Sequence, residues 1–187
     1  DRKTYCADTT VKVMNPLSAD LGVMRQCLLF GGLESIMRNA NRKNCNLRFF
    51  EFGNCYHYDA DKWSADAPIN AYRQGRHLGL WVSGKRVEGS WAHPNEDSSF
   101  YELKAYVENV LARIGITSGM VVMENSTNDI FAKGMNIMTR GGKTIVEMGI
   151  VARKLQKQAD IASEIYYADF NWTNAMKAIR KNKVEFT

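Results

Sequence analysis

Gly141-Gly142 constrains the fold more tightly than any other feature of this chain. It separates two runs of strand-forming residues, 135–140 and 144–152. A connection that short joins antiparallel neighbours, because a parallel crossover needs a dozen or more residues. Further strands are expected at 47–58, rich in aromatics and read as buried, at 77–83, where Leu78, Leu80 and Val82 alternate, at 120–124 and at 164–171. Between them, Phe100, Leu103, Val107, Val110, Leu111 and Ile114 recur at helical spacing, and Gly115 ends that helix. Leu29, Leu33, Ile36, Met37 and Ala40 mark a second helix running to about Arg42. A short basic helix at 153–159 and a last one at 172–181 complete the set.

The remaining segments read as connections. Residues 1–14 are expected to be extended as far as Val11-Lys12-Val13. Asn15-Pro16-Leu17-Ser18 then forms a turn, with Ser18 as a candidate helix N-cap. Loops are expected at 59–74 and 84–98, the second carrying Trp91 and Pro94. Strands joined by hairpins and long loops, with helices between them, indicate an α+β fold with an antiparallel sheet.

Length and composition exclude several classes. The chain has 187 residues, 45% hydrophobic and 24% charged, enough for a single folded core. It begins with Asp1, so the expectation is a piece of a longer chain. No apolar run approaches the length needed to cross a bilayer. Cys6, Cys27, Cys45 and Cys55 contain no C-x-x-C pair, which argues for reduced thiols rather than zinc. The net charge of +5 is spread over Arg38/Arg42/Lys43, Lys154/Lys157 and Arg180/Lys181/Lys183, clusters that read first as solvated helix ends.

Motifs for chemistry are missing. Gly142-Lys143-Thr144 hints at a phosphate loop, but position 137 is Ile137 where that loop needs glycine. His57, His77 and His93 have no metal-ligand spacing, and no G-x-S-x-G elbow occurs.

One ordered set of residues is far more specific. It runs Val11-Lys12-Val13-Met14-Asn15-Pro16-Leu17-Ser18, then Met24-Arg25, Leu28-Leu29-Phe30-Gly31-Gly32-Leu33, Asn39-Ala40-Asn41-Arg42 and Arg48-Phe49-Phe50-Glu51-Phe52-Gly53. The set continues through Leu78-Gly79-Leu80, Ser83-Gly84 and Trp91 to Phe100-Tyr101-Glu102-Leu103-Lys104 and Val107-Glu108-Asn109-Val110-Leu111. In order and spacing it resembles the β subunit of bacterial-type phenylalanyl-tRNA synthetase. Departures are local: Phe30 stands for a proline, Ser99 for an aspartate, Ala105 for a glycine, and Phe131-Ala132-Lys133-Gly134 stands where many members carry H-P-G.

The resemblance implies a class II synthetase-like antiparallel sheet of about six strands flanked by helices, with residues 1–187 forming one core domain of a longer β subunit. It implies a cytoplasmic assembly of two α and two β subunits, in which α carries the ATP, phenylalanine and acceptor-end chemistry. The β core would be a degenerate copy supporting α and the aminoacylation of tRNA(Phe). ATP and Mg²⁺ sites would lie elsewhere in that holoenzyme, with no cofactor in this segment, and an anticodon-binding domain would follow Thr187.

Degeneracy is also legible residue by residue. A working class II site grips phosphate with two arginines, each a forked permanent cation. The first aligns with Tyr56-His57-Tyr58-Asp59, where the arginine is His57. The glycine-rich second motif falls on Tyr166 to Ala175, including Asp169, and no Glu-Arg dipeptide occurs anywhere. The expectation is therefore that the chain alone neither binds ATP nor forms an adenylate, with Tyr166, Tyr167, Phe170 and Trp172 partly filling the nucleotide space. Asn15, Pro16, Ser18, Met24, Arg25, Asn41, Arg42, Glu51 and Gly53 are expected to be structural. Arg25 is expected to pair inside the domain, Glu51 being the first candidate, at roughly 3–5 kcal/mol if that pair is buried. The alternatives are an active adenylate-forming enzyme, disfavoured by the missing arginines, and a stand-alone RNA- or protein-binding domain on the same fold.

Overall fold

The computed structural model describes residues 5–18 and 21–179. Six strands form one antiparallel sheet in the order β1-β2-β8-β7-β6-β5. They are β1 (Leu47–Tyr58), β2 (Tyr72–Ser83), β5 (Val121–Asn125), β6 (Phe131–Thr139), β7 (Thr144–Val151) and β8 (Ile165–Asn171). A two-stranded ribbon, β3 (Lys85–Val87) with β4 (Glu96–Asp97), lies in the loop after β2. The Gly141-Gly142 hairpin forms as expected: Thr139 N–H donates to Lys143 O at 2.8 Å, and Gly142 takes φ +78°.

Because side chains alternate along each strand, the sheet has two unlike faces. One carries α1 (Leu29–Ala40). Its core gathers Cys27, Leu28, Leu29, Leu33, Ile36, Cys55, Trp81, Phe131, Ile165 and Tyr167. The other carries α2 (Phe100–Arg113) and α4 (Trp172–Ile179), over Leu78, Val82, Leu103, Val107, Leu111, Ile137, Val146, Met148 and Phe170. α3 (Arg153–Gln158) adds Leu155 to the first core. α2 starts at Ser99, whose hydroxyl accepts from Glu102 N–H, and stops where Gly115 enters φ +83°.

Three expectations are corrected. Ser18 caps no helix. Leu21 N–H bonds to Ser18 O, and Lys12 bridges Val23, so 11–13 and 22–24 form a small antiparallel loop and the helix begins only at Leu29. β1 is no buried central strand but the edge of the sheet, with Phe50 74% and Phe52 53% exposed. Aromatic density reports β propensity and cannot tell edge from centre. The loop expected to last to Gln74 ends at Tyr72, since β2 pairs with β1 along its full length. Residues Arg180, Lys181 and Lys183 lie outside the described residues.

Arg48 organises one corner of the sheet. Its guanidinium reaches Glu102 on α2 at 2.9 Å, the carbonyls of Ser83 and Lys85, and Ser98 Oγ, at side-chain exposures of 29% for Arg48 and 8% for Glu102. One cation thus ties β1, β2, β3 and α2 together.

Candidate site on the α1 face of the sheet

Strand register places the expected site residues that lie on strands: Glu51, Gly53, His57 and Asp169. One row crosses all six strands: Glu51, Gly79, Asp169, Glu147, Asn136 and Glu124. The next row on the same face is Phe49, Trp81, Tyr167, Gly149 and Gly134. A polar row thus lies beside an aromatic one. At one end of this face, His57 on β1 and His77 on β2 enter from neighbouring strands.

Rings fill the floor. Trp81 and Tyr167 lie 5.1 Å apart, and Phe131 stacks on Tyr167 at 6.3 Å. Glycines make room for them. A Cβ on Gly32 would fall 2.1 Å from the Trp81 indole and one on Gly79 2.4 Å, so the indole is clamped between α1 and its own strand. Tyr5 packs against the same cluster. Its hydroxyl is pushed far above the usual range, first by burial and then by Cys27, Asp169 and Glu147. Tyr167 is pushed up by burial first as well, and its hydroxyl and the Trp81 Nε1 have no hydrogen-bond partner. Burial, with nearby Asp169 and Cys27, also raises the Cys55 thiol to about 12. All four cysteines are free thiols.

The filling therefore differs from the expectation. Of the four aromatics named, Tyr167 alone belongs to this floor. Tyr166 and Phe170 alternate to the α2 face, where Tyr166 OH donates to Ser98 O at 3.0 Å. Trp172 meets Phe52 edge-on at 4.9 Å. Trp81, Phe131 and Tyr5 do the work instead. The signal for Trp81 was present in the alternating Leu78-Gly79-Leu80-Trp81, beside a helix carrying Gly32. Tyr5 left no signal, because its position depends on a long-range fold.

The polar row is internally committed. His77 Nδ1 lies 2.9 and 3.1 Å from the two Asp169 oxygens, both residues being 15% exposed. Ser126 Oγ donates to Glu147 Oε1 at 2.6 Å and Asn128 Nδ2 to Glu147 Oε2 at 2.8 Å. Arg25 crosses the edge strand. Its Nη1 meets Glu51 at 2.6 Å, its Nε meets Asn54 O at 3.0 Å, and its own carbonyl accepts from Tyr56 N–H. The expected partner is present, but the pair is 43% and 38% exposed, so the large energy tied to burial does not apply. Gly53 has a matching reason. A Cβ there would lie 2.1 Å from Arg25 Nη2, so the guanidinium occupies the space its side chain would need.

The phosphate end of such a site would lie near His57. Burial, His77 and Arg73 all lower its pKa, so the imidazole is neutral near pH 7. An open cleft of about 460 Å³ adjoins it, lined by Asp8, Thr9, His57, Tyr58, Asp59, Ala60, Asp61 and Arg73. Three carboxylates face one arginine there, and Asp59 already holds both Arg73 (2.8 Å) and Lys62 (3.1 Å). This lining repels phosphate. Among the described residues, no group of three or more His, Cys, Asp or Glu is gathered for a metal ion. No helix among them is long and apolar enough to cross a membrane.

The other motif residues lie in a turn, in the small loop at 11–24 and at the end of α1. Asn15, Pro16 and Ser18 occupy the exposed turn, and Met24 N–H bonds Val11 O at 2.8 Å. Asn41 ends α1, its Nδ2 3.3 Å from Met37 Sδ, and Arg42 N–H returns to Asn39 O in the turn that follows.

Comparison with known proteins agrees with this geometry. Residues 3–172 match the model of the phenylalanyl-tRNA synthetase β chain CLM domain. The chain is 55% identical over 184 residues to the phenylalanine–tRNA ligase β subunit of Bacteroides thetaiotaomicron, covering 98% of this chain and 22% of that one. It is 42% identical to the same subunit of Porphyromonas gingivalis, with the same coverage. The chain thus spans about a fifth of the length of these curated relatives. Pyrrolysyl-tRNA synthetase from Desulfitobacterium hafniense shares the fold, with a TM-score of 0.65 at 14% identity, over 93% of this chain and 54% of that one.

Proposed function

The chain belongs to the phenylalanyl-tRNA synthetase β-chain family, and we propose that it serves there as a noncatalytic, synthetase-like module. In this reading residues 1–187 form one core domain of a longer β subunit. That subunit assembles with two catalytic α subunits and a second β in the cytoplasm, and the complex charges tRNA(Phe). ATP and Mg²⁺ are used on α.

The observation that carries the reading is the acidic cleft beside His57. A nucleotide site needs fixed cations where the phosphates lie. Here the aligned residue is a neutral imidazole among Asp8, Asp59 and Asp61. The ring-filled floor supports the same reading, because Trp81, Tyr167, Phe131 and Tyr5 pack together on the face that carries Asp169 and leave it filled with side chains.

The test uses the full-length β chain co-expressed with its α partner. Phenylalanine-dependent pyrophosphate exchange should belong to the complex, be absent from β alone, and be unchanged by His57→Ala and Asp169→Asn in β. Loss of exchange in a variant that still assembles would refute the noncatalytic reading. A β chain that purifies without α would favour the stand-alone binding domain.

A further inference from the structure

The opposite face of the sheet holds a second cleft, unrelated to the site above. It opens between the β6-β7 hairpin, the turn at Ser118–Met120 and α4, and has a volume of about 440 Å³. That volume is in the range of small-molecule sites. Its floor is aliphatic: Ile116, Met120, Val121, Ile145 and Ala178. Its rim carries three cations, Arg140 and Lys143 from the hairpin and Lys177 from α4, and among the described residues no carboxylate. Among the described residues, none of the three pairs with an acid. The ion pairs of this domain lie elsewhere.

Three cations thus line one cleft without a counter-charge, and an anion seated there is attracted by all three. We infer that this cleft binds a phosphate monoester carried on a small aliphatic or phenyl body. A dianion matches a threefold positive rim better than a carboxylate does, and the Arg140 fork suits two phosphate oxygens at once. The aliphatic floor takes the body. Nucleotides fit poorly, because among the described residues no aromatic ring lines the cleft to stack on a base. Asn174, the one side-chain amide among the described lining residues, already gives one of its two Nδ2 hydrogens to Thr144 O. The Lys143 N–H is likewise held by Thr139 Oγ1.

This inference stands apart from the proposed function, since the two sites lie on opposite faces and share no residue. It is tested on the full-length chain in complex with its α partner, by saturation-transfer NMR and calorimetry. The probes are phenyl phosphate, phenol, inorganic phosphate and AMP. Phenyl phosphate should bind saturably, with phenol and inorganic phosphate each about tenfold weaker or more. AMP should gain nothing over inorganic phosphate at this site. Replacing Arg140, Lys143 and Lys177 together by alanine should weaken phenyl phosphate at least about tenfold, since charge-assisted bonds are lost. Gly119→Leu should block the cleft with all three cations in place, because Gly119 lines it and a Cβ there meets nothing within 4 Å, so the side chain is added without a clash. Unchanged phenyl phosphate affinity in either variant would overturn the inference. So would inorganic phosphate or AMP binding as tightly as phenyl phosphate, or phenyl phosphate failing to saturate.

Discussion

Two adjacent rows of one sheet teach different lessons. Phe52, Leu78, Phe170, Val146, Ile137 and Met123 cross it facing α2 and α4. One residue along each strand, Glu51, Gly79, Asp169, Glu147, Asn136 and Glu124 cross it facing α1. The first row is apolar, its four central members Leu78, Phe170, Val146 and Ile137 are buried, and its face is tied at one corner by the Arg48–Glu102 pair. The second keeps carboxylates and an amide, beside a row of rings in which the Trp81 indole N–H and the Tyr167 hydroxyl have no hydrogen-bond partner. The α2 face builds the fold. In the proposed noncatalytic reading, the α1 face is where a nucleotide site would lie, and it offers phosphate a neutral His57 among carboxylates.

The comparison breaks first at its two arginines. Arg48→Ala should destabilise by about 3–5 kcal/mol, because it leaves the Glu102 carboxylate, 8% exposed, without its counter-cation and held by the Tyr106 hydroxyl. Chemical denaturation reads this directly, and a loss under 1 kcal/mol would mean that the corner does not hold the two layers together. Asn128→Ala should cost about 1–3 kcal/mol, since the amide side chain satisfies both Glu147 Oε2 and Ile130 N–H. Arg25→Ala should cost only about 0.2–1 kcal/mol, because its partner is exposed. A larger loss would show the α1 face to be as tightly locked as the other.

The smallest effect is a pH slope. His57 has a depressed folded pKa, caused first by burial. Its contribution is therefore complete above the unfolded value of about 6.5 and is lost as pH falls through the folded value. The melting temperature of the wild type should fall faster than that of His57→Gln on acidification from neutral pH. Parallel curves would place His57 in solvent.

Much of this was legible in the sequence, for definable reasons. The Gly141-Gly142 hairpin and the α2 stripe are local patterns, and local patterns survive without knowledge of the rest. The Arg25–Glu51 contact came through an ordered motif, and Gly53 completes it sterically. Failures occurred where neighbours in space decide. Arg48 looked like any basic residue at a strand start. Tyr166 and Tyr167 are adjacent in the chain, yet pleating sends them to opposite cores. Tyr5 reaches Asp169 only after the whole sheet has formed.

The edge position of β1 carries a cost in solubility. Arg25 covers that edge only at Asn54 and Tyr56. By the same alternation, the N–H and C=O groups of Phe50 and Phe52 point outward, beside two exposed rings. A long aromatic strand with open backbone is a template for further strands. A newly made chain is therefore vulnerable to cross-β aggregation until something shields that short stretch, and a charge at Phe50 is the simplest way to keep it dispersed.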